Sequence, residues 1–408
     1  MRLLHTSDWH IGKTIFGQKR YEEYESFLLW LSDTIQEKKI DVLLVAGDIF
    51  DTSTPSNRAQ ELYYKFLCRT ASSPCRHVVI TAGNHDSPTF LDAPRELLRT
   101  LNVHVTGSVS GDPHDEIITL KNKNGEVELI VCAIPYLRDR DIRTVENGET
   151  VEDKERKISE GISLHYKTVC SLAEQKRSQT GKDIPVVCMG HLFTAGGKTV
   201  NGDGVRELYI GNLAHITASI FPETIDYLAL GHLHVPQTVG RRENMRYSGS
   251  PLPVGFSETK HQKSVCMVEF SGKKPHVSLL NVPVFQHLET VTGDWNHIQS
   301  RILELAALNS NSWLEINYES NEIISDLRER LENIIDNTDI KILRIRNRPV
   351  YDQVLSEIES ESLDDLSVHD VFKRCLEINE IPPEQHDQLL STYQETLNSL
   401  YEEDKQAQ

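Results

Sequence analysis

The amino-acid sequence predicts an α/β fold over about its first 270 residues, followed by a small α+β unit and a helical tail. Short apolar runs recur, each closed by glycine or polar residues, and segments with a helical apolar period lie between several of them. A second strand and helix alternation begins near Pro283.

The runs Leu3 to Thr6, Val42 to Ala46, Val78 to Ala82, Leu129 to Ile134, Val186 to Met189 and Tyr227 to Leu230 read as strands buried on both faces, because they are continuously apolar rather than alternating. Tyr24, Phe27, Leu28, Leu31 and Ile35 recur with a helical period, as do Leu62, Tyr63, Phe66 and Leu67. The stretch 153–180 is charged and poor in turn residues, which predicts an exposed helix. From Gln286 to Val350 the order is strand, helix (Trp295 to Leu308), strand (Trp313 to Tyr318), helix (Ile323 to Ile335), strand (Ile340 to Ile345). Beyond Ser360 two short helices meet at Pro382-Pro383. Their apolar faces carry Leu366, Val368, Val371, Phe372 and Leu376, then Leu389, Leu390, Tyr393, Leu397 and Leu400. Those faces pack either on the chain's own body or on a partner. The expected division is 1–280, 281–350 and 351–408.

A length of 408 residues, at about 100–200 per domain, suits two or three domains. With 38% hydrophobic and 25% charged residues, general disorder is excluded. The formal charge of −18 argues at first against a nucleic-acid binder. Its distribution changes that: residues 351–408 hold 15 acidic and 3 basic side chains, while residues 1–350 hold 46 and 40. No apolar run approaches the ~18 residues of a membrane span, and no signal peptide is visible. Seven scattered cysteines without a Cys-x-x-Cys pair predict reduced thiols in a cytosolic protein.

Every strong polar signal sits where a predicted strand ends: Asp8-x-His10, Gly47-Asp48, Gly83-Asn84-His85-Asp86, Gly190-His191 and Gly231-His232-x-His234. Ligands of α/β sheets lie beyond the carboxyl ends of the strands, so five loops would converge on one cleft. Asp, His and Asn suit Mn²⁺, Fe²⁺ or Zn²⁺, and seven such groups are enough for two ions that share a carboxylate. Spacing of two in an extended segment turns both side chains of Asp8/His10 and of His232/His234 to one side. Each piece alone occurs by chance; five in this order, each after an apolar run, point to a dinuclear metal site.

This ordered set resembles the calcineurin-like metallophosphoesterase superfamily. Within it, Leu4-His5-Thr6-Ser7-Asp8-Trp9-His10-Ile11-Gly12, Val45-Ala46-Gly47-Asp48-Ile49-Phe50-Asp51 and Tyr247-Ser248-Gly249-Ser250-Pro251-Leu252-Pro253 are similar to the Mre-type nucleases of double-strand-break repair, in bacteria the SbcD family. The similarity extends over the whole chain. It implies a β-sandwich flanked by helices, a small α+β capping domain that binds DNA, and a C-terminal helical segment docking on the coiled-coil base of an SbcC-type ATPase. The implied activity is hydrolysis of DNA phosphodiesters: 3'-5' exonuclease action on duplex ends, and endonuclease action on hairpin and single-stranded DNA.

The resemblance further implies that Asp8, His10 and His234 hold one metal, that Asn84, His191 and His232 hold the other, and that Asp48 bridges both. His85 would lie over the scissile phosphate and assist departure of the sugar oxygen. The implied ions are two Mn²⁺, with Mg²⁺, Fe²⁺ or Zn²⁺ as alternatives, and the implied assembly is a 2:2 heterotetramer with the ATPase, dimerised through the nuclease domain. Candidate dimer surfaces are the Tyr63 to Leu67 segment and the helix after Pro94. Asp51 stands where archaeal and eukaryotic relatives carry histidine, so that histidine's role does not transfer. Asp86 follows His85 directly and either orients it or neighbouring loops, or has no functional part.

Two Gly-Lys-Thr triplets, at 12–14 and 197–199, are not phosphate loops, because the glycine needed five residues earlier is Ser7 or Leu192. ATP dependence must therefore come from the partner. Three basic clusters are candidates for DNA contact: Arg138/Arg140/Arg143, Arg241/Arg242/Arg246 and Lys341/Arg344/Arg346/Arg348. The alternatives to a nuclease are a metallophosphatase or phosphodiesterase acting on a small phosphoester, and a scaffold with a vestigial site. The Asp-Arg-Gly of protein phosphatases is missing after Gly47-Asp48, and no ligand of the set is lost.

Overall fold

The computed structural model describes residues 1–143, 149–194, 197, 217–320, 324, 326–347, 390 and 393. The chain separates into two compact units, Met1–Glu289 and Thr290–Gln408.

Two six-stranded sheets form the first unit. One runs Lys274–Asn281, Ser264–Ser271, Arg2–Thr6, Val42–Ala46, His77–Thr81, Val103–Thr106; the other runs Gln237–Val239, Arg242–Tyr247, Tyr227–Gly231, Val186–His191, Val127–Ala133, Ile117–Lys121. The six buried strands read from the sequence are thus shared equally between two sheets. Within each sheet the three run parallel, so their carboxyl ends fall on one edge.

Side-chain alternation explains why these strands carry no polar face. Leu3, Val42, Leu44 and Val79 meet Leu129, Val131, Val187 and Ala229 in one buried cluster. On the first sheet, the alternate residues Leu4, Leu43, Val45 and Ile80 are buried instead with Phe27, Leu31, Leu62 and Phe66, from the helices Tyr21–Glu37 and Asn57–Ala71. Ile130, Cys132, Cys188 and Leu228 of the second sheet do the same with Ile158, Ile162, Tyr166 and Val169. The result is a β-sandwich flanked by helices. With both faces covered, a continuous apolar run is the pattern that burial demands.

The helix expected to be exposed over 153–180 is half buried. It spans Val151–Thr180, starts at a Thr150/Asp153 capping box and ends on left-handed Gly181. Its charge misled: Ile158, Ile162, Tyr166, Val169 and Ala173 recur three or four residues apart, and that stripe is fully packed. Among the described residues no helix is long and apolar enough to cross a membrane. Cys68, Cys75, Cys132, Cys170, Cys188 and Cys266 are free thiols.

In the second unit, Trp313–Tyr318 is the central strand of a three-stranded sheet, between Leu288–Gly293 and Lys341–Asn347, and runs parallel to the latter. Helices Trp295–Ala307 and Leu327–Ile335 bury Ile298, Ile302, Leu305 and Leu331 with Leu314 and Ile316. The predicted docking segment 351–408 lies outside the described residues, apart from Leu390 and Tyr393.

Candidate metal centre

The loops beyond the parallel strand ends turn sharply. Asp8, His10, Asp48 and His232 all adopt left-handed backbone conformations, with φ of 53°, 50°, 51° and 99°. Each such non-glycine residue costs about 1–3 kcal/mol, so surrounding bonds must fix it. They do: Asp8 N donates to Gly47 O and His10 N to Asp48 O, both at 3.0 Å. Asp8 Oδ1 accepts His232 N at 2.8 Å. Asp86 binds three further backbone amides, Gly83 N at 2.9 Å, Ile49 N at 3.1 Å and Phe50 N at 3.0 Å. Asp86 therefore clamps the Asp48 loop to the Asn84 loop.

Two glycines are required by close approach. A Cβ on Gly47 would stand 2.2 Å from His191 Nδ1, and one on Gly83 would stand 2.2 Å from Asp48 Oδ1. The loops touch because these positions carry no side chain.

All eight residues singled out by sequence come together. Ligand atoms of Asp8, His10 and His234 lie within 4.8 Å of one another, and so do those of Asp48, His191 and His232. Asp48 Oδ2 is 3.6 Å from His10 Nε2 and 3.3 Å from His191 Nε2, so one carboxylate faces both sets. Asn84 Oδ1 is 3.1 Å from His191 Nε2 and 3.0 Å from His232 Nδ1. His85 is partly exposed at the edge of the cluster. Its amide donates to Asp48 Oδ1 and its Nδ1–H to the Asp51 carbonyl, both at 2.9 Å.

The electrostatics follow from burial and these neighbours. Burial disfavours a charge on His191, but the adjoining Asp48 carboxylate outweighs it and lifts the ring to about 9. Burial, reinforced by His191, holds His232 near 3. Burial raises Asp86 to about 6, with Asp48 adding to the shift. Histidine nitrogens, two buried carboxylates and one amide oxygen form a donor set suited to divalent transition ions. Asp8 and Asp48 supply the negative charge that such ions require.

The basic clusters fare unequally. Arg143 is nearly buried, in ion pairs with Asp139 at 3.3 Å and Glu149 at 2.8 Å. Arg246 is largely covered, while Arg140, Arg241 and Arg242 are exposed. Arg344 and Arg346 project to the same side of their strand, 3.7 and 3.4 Å from Glu315. Arg348 lies outside the described residues.

Residues 1–236 match the calcineurin-like phosphoesterase family, and residues 284–380 match the SbcD_C family, described as the type 5 capsule protein repressor C-terminal domain. Over 408 residues the chain is 35% identical to the SbcD subunit of the SbcCD nuclease from Escherichia coli K12, covering 98% of each protein. The chain belongs to the SbcD family of calcineurin-like phosphoesterases. Two further SbcD relatives agree. The SbcD protein of Bacillus subtilis is 30% identical over 99% of this chain and 100% of its own, and that of Rhodobacter capsulatus is 34% identical over 67% of each.

Sequence reasoning missed two members of this SbcD-family site, Glu258 and Lys263. Both are buried, and Glu258 Oε1 lies 3.3 Å from His234 Nδ1. Glu258 follows the Tyr247–Pro253 stretch and closes a three-residue 3-10 helix, Phe256–Glu258, too short for periodicity to mark a residue as buried.

Proposed function

We propose that this chain is the metal-dependent nuclease subunit of an SbcCD-type complex, hydrolysing phosphodiester bonds of DNA. The carrying observation is Asp48, whose carboxylate faces two histidine sets at 3.6 and 3.3 Å. Asp8, His10 and His234 would hold one divalent ion, Asn84, His191 and His232 the other, and Asp48 both; Mn²⁺ is the proposed metal. Bound ions of this kind supply Lewis acidity to a phosphoryl group and lower the pKa of water.

The protein's own contribution is placement. Backbone hydrogen bonds between the strand-end loops, and those that the Asp86 carboxylate accepts from Gly83, Ile49 and Phe50, fix the strained backbone that carries the proposed ligands. Asn84, a neutral ligand, keeps the cluster from becoming too anionic for a phosphate. His85 has its Nδ1–H committed to the Asp51 carbonyl at 2.9 Å, which leaves Nε2 to face the substrate and assist the departing sugar oxygen.

The proposed substrates are duplex ends, degraded 3'-5', and hairpin or single-stranded DNA cut internally. Arg344 and Arg346 would contact the phosphate backbone, which gives affinity without sequence readout. The proposed partner is an SbcC-type ATPase bound by residues from about 360 to 400, in a 2:2 assembly within the cytoplasm, at the nucleoid. The test compares cleavage of linear and hairpin duplexes with phosphate release from small monoesters, in wild type and Asp8→Ala with the partner present. DNA cleavage abolished by the substitution supports the reading. Monoester hydrolysis far exceeding DNA cleavage would replace it with a small-molecule phosphatase.

A further inference from the structure

The two metal positions are not supported alike. His10 Nε2 and His234 Nε2 face one another at 3.2 Å, and each ring turns its Nδ1 away toward a carboxylate. Behind His234 stands Glu258, with Oε1 at 3.3 Å. The other oxygen, Oε2, accepts Lys263 Nζ at 2.5 Å, Val254 N at 3.1 Å and Ser250 Oγ at 3.3 Å. Lys263 Nζ also donates to Ser250 Oγ at 2.8 Å and to the backbone carbonyl of His234 at 3.3 Å. One buried Glu–Lys pair thus sets a carboxylate oxygen beside the ring of His234 and a hydrogen bond on its backbone carbonyl. Behind His10 the device repeats: Asp51 Oδ1 lies 3.4 Å from Nδ1 and accepts Lys13 Nζ at 3.0 Å. His191 differs, because its Nδ1 meets the neutral carbonyl of Ala46 at 2.9 Å.

An anionic partner on the far nitrogen fixes the tautomer, aims the near lone pair and makes it a stronger donor; removing such a partner typically costs about 10–100-fold in metal affinity. The lysines explain how the two carboxylates are tolerated. Glu258 is fully buried yet held near 2, because contact with His234 and Lys263 outweighs the cost of burial. Asp51 is likewise held near 2 by His10 and Lys13 despite partial burial.

We propose that Glu258 and Asp51, each with its lysine, are positioning residues that make the Asp8/His10/His234 position the tighter of the two, filled first as metal rises. This rests on the ligand assignment proposed above. The test is a titration of the metal-free full chain with Mn²⁺, followed by calorimetry and by the electron paramagnetic resonance of the free ion. Wild type should take up two ions in two steps separated by at least about 10-fold. Glu258→Gln and Asp51→Asn keep side-chain size but remove the anion. Each should weaken the first step by about 10–100-fold and leave the second within about 3-fold.

Unchanged first steps in both variants, equal weakening of both steps, or one unresolved step in wild type would overturn the proposal while leaving a two-ion site intact. Failure of wild type to bind any ion would instead overturn the ligand assignment itself. Asp51 is partly exposed, so Asp51→Asn keeps the test available if the buried Glu258 variant does not fold.

Discussion

Asp86→Ala removes the acceptor of three backbone N–H groups, those of Gly83, Ile49 and Phe50, at 2.9–3.1 Å in a site that is 2% exposed. Each orphaned buried amide costs about 1–3 kcal/mol. The three do not add fully, and the substitution also removes a carboxylate that burial and Asp48 disfavour, so the expected net loss is about 2–4 kcal/mol. Asp86→Asn keeps one acceptor oxygen but turns an amide toward the remaining donor. Its loss should be smaller, about 1–2 kcal/mol, for the same reason. Urea denaturation of the metal-free chain at neutral pH measures both. Ile49 adjoins Asp48 and Gly83 adjoins Asn84, so the alanine variant should also bind Mn²⁺ at least about 10-fold more weakly, by analogy with the loss of outer partners. A loss below about 1 kcal/mol with unaltered metal binding would refute the clamp, since three orphaned amides cannot be that cheap.

Two further outcomes follow from the same geometry. Gly47→Ala would place a Cβ 2.2 Å from His191 Nδ1 at a backbone φ of 83°, so the ring must move; mass spectrometry of the purified proteins should find about one ion per chain in the variant and about two in wild type. His5, fully buried against Tyr227, is lowered to about 3 by burial, with Arg246 contributing, against an ordinary 6.5. The unfolded chain therefore takes up a proton as pH falls from 6.5 toward 3 and the folded chain does not, so stability declines across that window by up to about 1.4 kcal/mol per pH unit. Denaturation at pH 7 and 5.5 should show a smaller decline in His5→Gln than in wild type, and equal declines would contradict the assignment.

Much of the site was legible because chemistry and backbone geometry reinforce each other at the strand ends. Asp8, His10, Asp48, Asn84, His85, His191, His232 and His234 all follow apolar runs, and the glycine before a ligand marks where loops must touch. The division of six similar strands between two sheets was not legible from apolar pattern alone, because every one of them is covered on both faces. Residues 153–180 were misjudged since charge was weighed above the stripe from Ile158 to Ala173. Glu258 and Lys263 escaped for a different reason: their burial results from long-range packing of a three-residue 3-10 helix and the residue before a strand around His234, which leaves no local periodic signal. Asp86 was visible as a candidate, but only the three backbone N–H groups that donate to it show what it holds.

The central claim is that this cluster of loops cleaves DNA through a two-ion site in which His85 acts on the substrate and not on the metals. The direct measurement is cleavage of end-labelled duplex and hairpin DNA in Mn²⁺ by the chain with the proposed SbcC-type partner, comparing wild type with His85→Gln, alongside metal content per chain. Both proteins should hold two ions, and cleavage should fall by about 100-fold or more in the variant. Cleavage by His85→Gln at the wild-type rate, or wild-type cleavage that persists in excess chelator, would contradict the claim.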